Sequence, residues 1–503
     1  MGKGRKIIQM DIKNNKKFNI IITIISILVC TFLQMILIFN INAWGDEVFT
    51  IVNLKKGWSE LWSTLVADVH PPLYYIIAKI IYTVFNYKFK VLKLVSILPI
   101  CLNIVLVSYL VLKNKKSNNS KKTGILLSLY IIATTITSNF LWMGQELRMY
   151  SWAMFFVTGS GIFAYRFYKE QNKINLIAFV LFSLGSALTH YWALIMECFI
   201  YLYLFIAIIL FKRKAIKKFS VVVILTILGY IWWLPTAIKQ LMTVRNDYWI
   251  TFNFYEFRNY FSNIIGNEIP IYIAIFMIGA ILACIMYNCF FKNTRYTKEN
   301  KEDIIFCIAS MTIVLDIIVL AVILNVLMRP IFIARYMLPA LGLFWLGLIG
   351  LLNYVDYKKI FVTIIAIILI YMSFVGYTNK LIEEYDTGTQ ATIDFMNSIL
   401  QEDDILITNI GHFSYNVLEY YFPNEKGKIY DINDFNFDIE SKDYYYIEDT
   451  ENQDGRDKIE KAGYEMQFVY TGSIDKTMNG NNVVNRYQFN VYKLNKYQNQ
   501  TTD

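Results

Sequence analysis

The sequence predicts an α-helical polytopic membrane protein of about 11 spans with a soluble α/β domain at its C-terminal end. Three observations predict this class. Of 503 residues, 56% are hydrophobic and 17% charged, against roughly 45–50% and about 25% in an average soluble domain. Mean hydropathy is +0.39, and apolar runs of about 20 residues recur, the length a helix needs to cross a bilayer core. Charge then divides the chain. From Lys380 onward there are 11 basic and 23 acidic residues, a net of −12, whereas residues 1–379 hold 37 and 16, a net of +21. The alternation of a membrane β-barrel is absent, so helices are the structure that satisfies a spanning backbone. The basic excess sits in short loops between apolar runs, where it encodes topology rather than nucleic-acid binding.

The elements follow in order. Residues 1–17 carry six basic side chains and one acid, which places the N-terminus in the cytoplasm. The run 18–40 lacks a small-residue cleavage site and reads as an uncleaved first span. A large first outer loop, 41–89, follows. A second span at 90–112 returns to "KNKKSNNSKK", with five lysines. The third (124–142) and fourth (149–167) flank "GQELRMY". The fifth (174–189) and sixth (191–211) flank "THYW", and the sixth ends at "FKRKAIKK", with five basic residues. The seventh (219–235) leads to a long loop, 236–268. The eighth (270–291), ninth (304–326), tenth (336–354) and eleventh (360–376) complete the membrane domain, 1–379. Every strongly basic loop then falls on one side. This count requires "HPPLYYIIAKIIYTVF", 70–85, not to cross. It has about 14 continuous apolar residues after its prolines, short of the roughly 17 a span needs. It reads as a short helix started by Pro71–Pro72; the alternative is a short true span paired with a break near Pro99.

The tail, 380–503, reads as an extracytoplasmic α/β domain. "TGTQATIDFMNSIL" and "GHFSYNVLEYYF" are expected helices. "DDILITNI", "GKIYDI", "DYYYIED", "YEMQFVYTG" and "RYQFNVYKL" are expected strands, rich in β-branched and aromatic residues. No phosphate-binding glycine pattern occurs there, so a lid, acceptor-binding or scaffold role is expected. All six cysteines lie in or beside apolar runs without CxxC or Cys/His spacing, and read as small apolar fillers.

With this topology the unusual polar residues collect on the outer face. Asp46, Glu47, Asp68 and His70 fall in the first outer loop. Gln145, Glu146, Arg148 and Tyr150 fall at the third–fourth turn, His190 at the end of the fifth span, and Arg329, Arg335 and Tyr336 before the tenth. Charged groups at a membrane boundary are costly unless paired or used. Each also has a plain structural reading. Asp46 and Glu47 suit a helix start, Pro71–Pro72 a simple turn, His190 a satisfied polar position, and Arg335 an interfacial anchor. Glu146 and Arg148, two apart, would not face each other on a helix.

The motifs "GDE", "DVHPPLYY", "QELRMY" and "ARYMLPAL", spread from Asp46 to Pro339, resemble the dolichyl-phosphate-mannose protein mannosyltransferase family and its bacterial relatives. These are integral-membrane glycosyltransferases of the C-type (GT-C) fold. The resemblance implies transfer of a sugar, mannose or another hexose, from a polyprenyl-phosphate carrier to an acceptor at the outer membrane face. It places the catalytic carboxylate at Asp46, with Glu47 beside it. It makes Glu146 a second acid, where this sequence has Glu rather than Asp. Lys93 stands where relatives often carry Arg, and would contact the carrier phosphate or the headgroup region.

The residue types suit that chemistry. A carboxylate within hydrogen-bond reach takes the proton of an attacking hydroxyl. The leaving lipid phosphate needs cations and donors. Arg148 and Arg335 are candidates, since a guanidinium matches phosphate oxygens bidentately. His70 would donate to the phosphate or orient Asp46. Asp68, Gln145, Tyr150, His190 and Tyr336 complete the expected substrate-binding set. A single displacement predicts inversion. No cofactor is required; Asp46, Glu47 and His70 are compatible with a divalent metal, but no ligand spacing indicates one. Expected partners are the lipid-linked donor, a protein, glycolipid or cell-wall acceptor, and the bilayer. Abundant Ile, Asn, Lys and Tyr point to a low-GC bacterium, hence to undecaprenyl phosphate and the plasma membrane. The competing classes are a transporter or flippase of lipid-linked sugars and a membrane scaffold displaying its tail. Transporters favour broken helices near the midplane; the spans here read as largely unbroken, with Asp316 the main buried acid.

Overall fold

The structure, a computed structural model, describes residues 2–39, 43–85, 92–113, 122–246, 254–266, 269–290, 297–327, 330–355, 358–384, 387–410, 413–423, 428–437, 443–450, 452–479 and 482–497. Arg329 and most of the five-lysine loop lie outside them. The chain forms two compact units, residues 1–39 with 56–378, and residues 40–55 with 379–503.

The first unit is helical. Among the described residues, six helices are long and apolar enough to cross a membrane, or up to eight if each of two bent pairs is one span. Each expected span coincides with a helix or a bent pair, although Lys173–Ala187 and Ile271–Tyr287 are shorter than the rest. Residues such as Leu28, Phe276 and Ile370 stand exposed along these helices, as lipid-facing positions do. The chain is an integral membrane protein. Helix Leu73–Val84 has 12 residues, a rise of about 18 Å, well short of a hydrocarbon core of about 30 Å. Pro72 is its N-cap residue.

The short helix expected within 70–85 is present as Leu73–Val84. Three expectations are corrected. The rest of the first outer loop holds two further helices, Gly45–Lys55 and Trp58–Ala67. The long loop 236–268 contains helices Leu234–Asn246 and Phe254–Ile265. Two of the expected spans are bent helix pairs, not continuous helices: Lys122–Ala133 bends by 59° into Ser138–Gln145, and Arg213–Tyr230 by 67° into the run from Leu234. At the first break the hydroxyls of Thr134, Thr135 and Thr137 donate to the carbonyls of Tyr130, Ile131 and Ala133, competing with the helical ladder. Gln34 then bridges the break, its amide donating to Thr135 O at 2.6 Å and Phe140 O at 3.0 Å. At the second, Pro235 has no N–H for the Ile231 carbonyl and its ring crowds that turn.

Helices Tyr150–Lys169 and Lys173–Ala187 approach closely because glycines face phenyl rings. A Cβ at Gly159 would fall 2.2 Å from Phe182, and one at Gly185 2.4 Å from Phe156. Small residues permit such approach between membrane helices.

The second unit carries a five-stranded sheet. Strands β1 (Ile405–Thr408), β2 (Ile429–Asp431) and β3 (Tyr444–Asp449) are parallel, whereas β5 (Asn482–Lys496) runs antiparallel to β3 and to β4 (Tyr464–Asn479), in the order β2-β1-β3-β5-β4. Its core includes Ile405, Ile407, Ile432, Phe435 and Tyr446. Helix Thr387–Ile399 packs on β4, with Phe395 stacked on Tyr470 at 4.1 Å. Glu448, 1% exposed, is held by Arg456 through two 2.6 Å hydrogen bonds. Gly455, at φ +114°, starts the short helix Arg456–Lys461, and a side chain there would meet Tyr446. Helix Gly45–Lys55 belongs to this unit. The Tyr421 hydroxyl accepts from Ala43 N–H at 2.8 Å and lies 3.2 Å from Ala43 O.

Candidate active site

In the first unit, four turns converge at one end of the helices. They are the turn before Leu73, the turn 146–149, the 188–190 turn and the 3-10 segment Ala334–Ala340. The Leu73 N–H donates to Leu188 O at 2.9 Å, which pins the first of these turns to the third. His190 is the N-cap of helix Tyr191–Phe211, its Nδ1 accepting from Trp192 N–H at 3.1 Å. In the neutral ring the proton then sits on Nε2, which is a donor.

His190 is the centre of a ring cluster. Its centroid lies 5.5 Å from Tyr150, 5.3 Å from Tyr336 and 6.3 Å from His70. His70 Nδ1 lies 3.0 Å from Asp68 Oδ2. Burial pushes the Asp68 carboxyl up, but His70, the Val69 N–H and Arg148 outweigh it and hold it below the usual carboxylate range. The ionised carboxylate only accepts, so His70 Nδ1–H donates to it, and in the neutral ring Nε2 is then an acceptor. Arg148, 4% exposed, reaches Tyr75 OH from Nη1 at 3.5 Å.

Burial above all, then the nearby His70, Arg148 and Arg335, hold His190 well below the usual histidine range. Unfolded histidine titrates near about 6.5. Below that pH the unfolded chain binds a proton the folded chain refuses. Stability is therefore full above about pH 6.5 and falls on acidification, by up to about 1.4 kcal/mol per pH unit. In His190→Asn, which keeps an N-cap acceptor, the thermal midpoint should fall less between about pH 7 and 5 than in wild type. An unchanged pH slope would remove His190 from this account.

The remaining expected site residues divide. Helix Ser138–Gln145 stops before Glu146, so Glu146 and Arg148 occupy a turn rather than a helix face, and Arg148 N–H donates to Glu146 O at 2.8 Å. Glu146, 5% exposed, is tied to the next segment by Ser96 Oγ–H, which donates to its carbonyl at 2.6 Å. Lys93, three residues earlier, is 1% exposed. Gln145 instead faces Gln34, donating to its Oε1 at 2.9 Å and its carbonyl at 3.1 Å. Asp46 and Glu47 lie in the second unit, in the first turn of helix Gly45–Lys55. Glu47, 3% exposed, accepts from Trp44 N–H at 3.3 Å, while Asp46 is half-buried.

Sequence reasoning missed two residues. Tyr75 touches Arg148; its signal was its place beside "HPP". Glu197 is 4% exposed and accepts from Ser160 Oγ–H at 2.5 Å, whereas Asp316, singled out from the sequence, is only half-buried. Two turns of helix separate Glu197 from His190. Among the described residues no group of three or more His, Cys, Asp or Glu is placed to hold a metal ion.

Chemically, the cluster offers two guanidinium groups, a donor at His190 Nε2, the His70–Asp68 pair, and the side chains of Tyr75, Tyr150 and Tyr336. That is a site for an anion at the end of an apolar bundle.

No protein-family model matches the sequence, and no curated protein matches it either. Among solved structures the chain is similar to ArnT from Cupriavidus metallidurans in the apo state, with a TM-score of 0.58 and 9% identity over 94% of this chain and 97% of that one. It is likewise similar to ArnT from that organism bound to undecaprenyl phosphate, with a TM-score of 0.57, 9% identity and the same coverage. The likeness is one of fold, an ArnT-like GT-C fold.

Proposed function

We propose that this chain is a membrane glycosyltransferase, moving a sugar from a polyprenyl-phosphate donor to an acceptor hydroxyl at the outer membrane face. The observation that carries the reading is the cluster of Arg148, Arg335, His70 and His190 at one end of an apolar helical bundle. The fold likeness to a protein found with undecaprenyl phosphate supports it. A lipid-linked sugar presents that chemistry, an apolar chain joined to an anionic phosphate.

The donor phosphodiester carries about one negative charge, and the released phosphate approaches two. Charge therefore grows on the leaving phosphate during the step. Preorganised arginines and donors near that oxygen bind the transition state more strongly than the donor. The acceptor oxygen bonds to the anomeric carbon, the bond from that carbon to the phosphate oxygen breaks, and the acceptor proton passes to a carboxylate. We assign that proton to Asp46, on the sequence motif, with Glu146 as a further acid on the donor side. One displacement inverts the anomeric centre. Mannose or another hexose is the sugar proposed, with a protein, glycolipid or cell-wall hydroxyl as acceptor. The N-terminus is then cytoplasmic and the acidic second unit extracytoplasmic.

Membranes containing the chain, supplied with labelled polyprenyl-phosphate sugars, should release the carrier phosphate and yield product of inverted configuration. Retention would overturn the single displacement. The two broken helices favour a second reading, a flippase of lipid-linked sugars. Movement of intact donor across vesicles, with no transfer from any donor, would select it.

A further inference from the structure

A second amphipathic site lies at the other end of the same helices. From Tyr150, in the cluster, to Tyr168 the helix rises about 27 Å. There, helices Tyr150–Lys169, Tyr191–Phe211 and Lys298–Leu327 enclose a crevice of about 380 Å³. Gly161, Ala164 and Ala207 line its wall. Leu210, Phe211 and Ile305, also in its lining, are 63%, 53% and 50% exposed, so it opens sideways on the apolar flank. The two outer helices are long and apolar enough to cross a membrane, and the medium at this mouth is therefore lipid.

The one carboxylate in the lining is already matched. Glu302 accepts from Lys169 Nζ at 2.7 Å and Tyr168 OH at 3.2 Å. Immediately beyond Phe211 come Lys212, Arg213, Lys214, Lys217 and Lys218. Among the described residues none of these five has a carboxylate within 4.0 Å. Lys212 lies at the crevice mouth, 4.2 Å over the Tyr168 ring and donating to Tyr168 O at 2.9 Å. Arg213 Nε donates to Ile209 O at 3.0 Å, and its terminal nitrogens are left for another acceptor.

We propose that this crevice binds one acyl chain of an anionic phospholipid, with the phosphate seated on Lys212 and Arg213. The crevice lies in the volume range of small-molecule sites, about 300–1,000 Å³. Its apolar wall takes a hydrocarbon chain, and the cations beside it, which outnumber the one nearby acid Glu302, take the headgroup charge. The proposal is independent of the transfer reaction, which uses the opposite end of the bundle.

Native mass spectrometry of the full chain in detergent, titrated with phosphatidylglycerol, phosphatidylcholine or undecaprenyl phosphate, tests it. Phosphatidylglycerol should bind first, one per chain. The double variant Lys212→Gln, Arg213→Gln should weaken it about tenfold or more, and Ala207→Trp, which fills the crevice, should abolish that adduct. Both variants should transfer sugar as wild type does. The double variant changes only side chains at the crevice mouth and carries the test if Ala207→Trp does not fold. Unchanged phosphatidylglycerol binding in the double variant would overturn the proposal. So would equal binding of phosphatidylcholine, or tighter binding of undecaprenyl phosphate at these residues.

Discussion

Asp46→Asn is expected to lower sugar transfer by about 10²–10⁴-fold while leaving the protein folded, the range lost when a positioned general base is removed. The neighbouring acid should behave differently. Glu47 is buried and its carboxylate accepts the Trp44 N–H at the start of helix Gly45–Lys55. Glu47→Gln keeps the shape but loses the charge at a helix N-terminus, a change of about 0.3–2 kcal/mol in stability. Asp46 is half-buried in the same turn, and Thr50 Oγ–H donates to its backbone carbonyl rather than its carboxylate. Asn therefore replaces it without disturbing that bond. The measurement is turnover per folded enzyme beside a thermal midpoint for each variant. Wild-type turnover in Asp46→Asn, together with inactive Glu47→Gln or Glu146→Gln, would move the base to another carboxylate.

Loss of the guanidinium at Arg148 or Arg335 should weaken binding of the carrier phosphate by roughly 10- to 150-fold, the worth of a charge-assisted hydrogen bond of about 1.5–3 kcal/mol. Arg148→Gln and Arg335→Gln remove charge. Arg148→Lys keeps charge and removes the planar fork, and should recover only part of the loss. Binding of undecaprenyl phosphate itself is the cleaner readout, because the phosphate product carries the charge the arginines are proposed to hold. Arg148 also sits near Asp68 and touches Tyr75, so its variants need a thermal midpoint beside the affinity. The double variant should lose less than the sum of the singles, since both cations would act on one phosphate. Wild-type affinity in both single variants would remove the phosphate from this cluster.

Much of the architecture is legible in the chain. The apolar runs give the helices because, without the alternation of a β-barrel, helices are what satisfies a backbone in hydrocarbon. The tail yields its two longer helices and all five strands in order, since β-branched and aromatic runs between turn residues encode strands locally. The short helix Arg456–Lys461 was not legible: it has six residues and little apolar pattern. Within the site, the acid, histidine and arginine positions stand out because polar groups beside apolar runs are rare. Their partners do not. Gln145 reads like its neighbours, and only the distant Gln34 assigns it to the bend. Glu197 sits unremarked inside an apolar run until Ser160, on another helix, reaches it.

By itself the sequence determined the membrane class, the order of helices and the polar residues gathered at their ends. Each is a local property of composition and spacing. Tertiary structure decided which helices break, that residues 40–55 join the acidic tail as one compact unit, and that turns distant in the chain, from the one before Leu73 to Ala334–Ala340, surround His190. Those outcomes depend on contacts such as Gln34 with Phe140, Ala43 with Tyr421 and Leu73 with Leu188. Sequence spacing carries no record of such contacts, because their energy appears only once both partners are folded and desolvated.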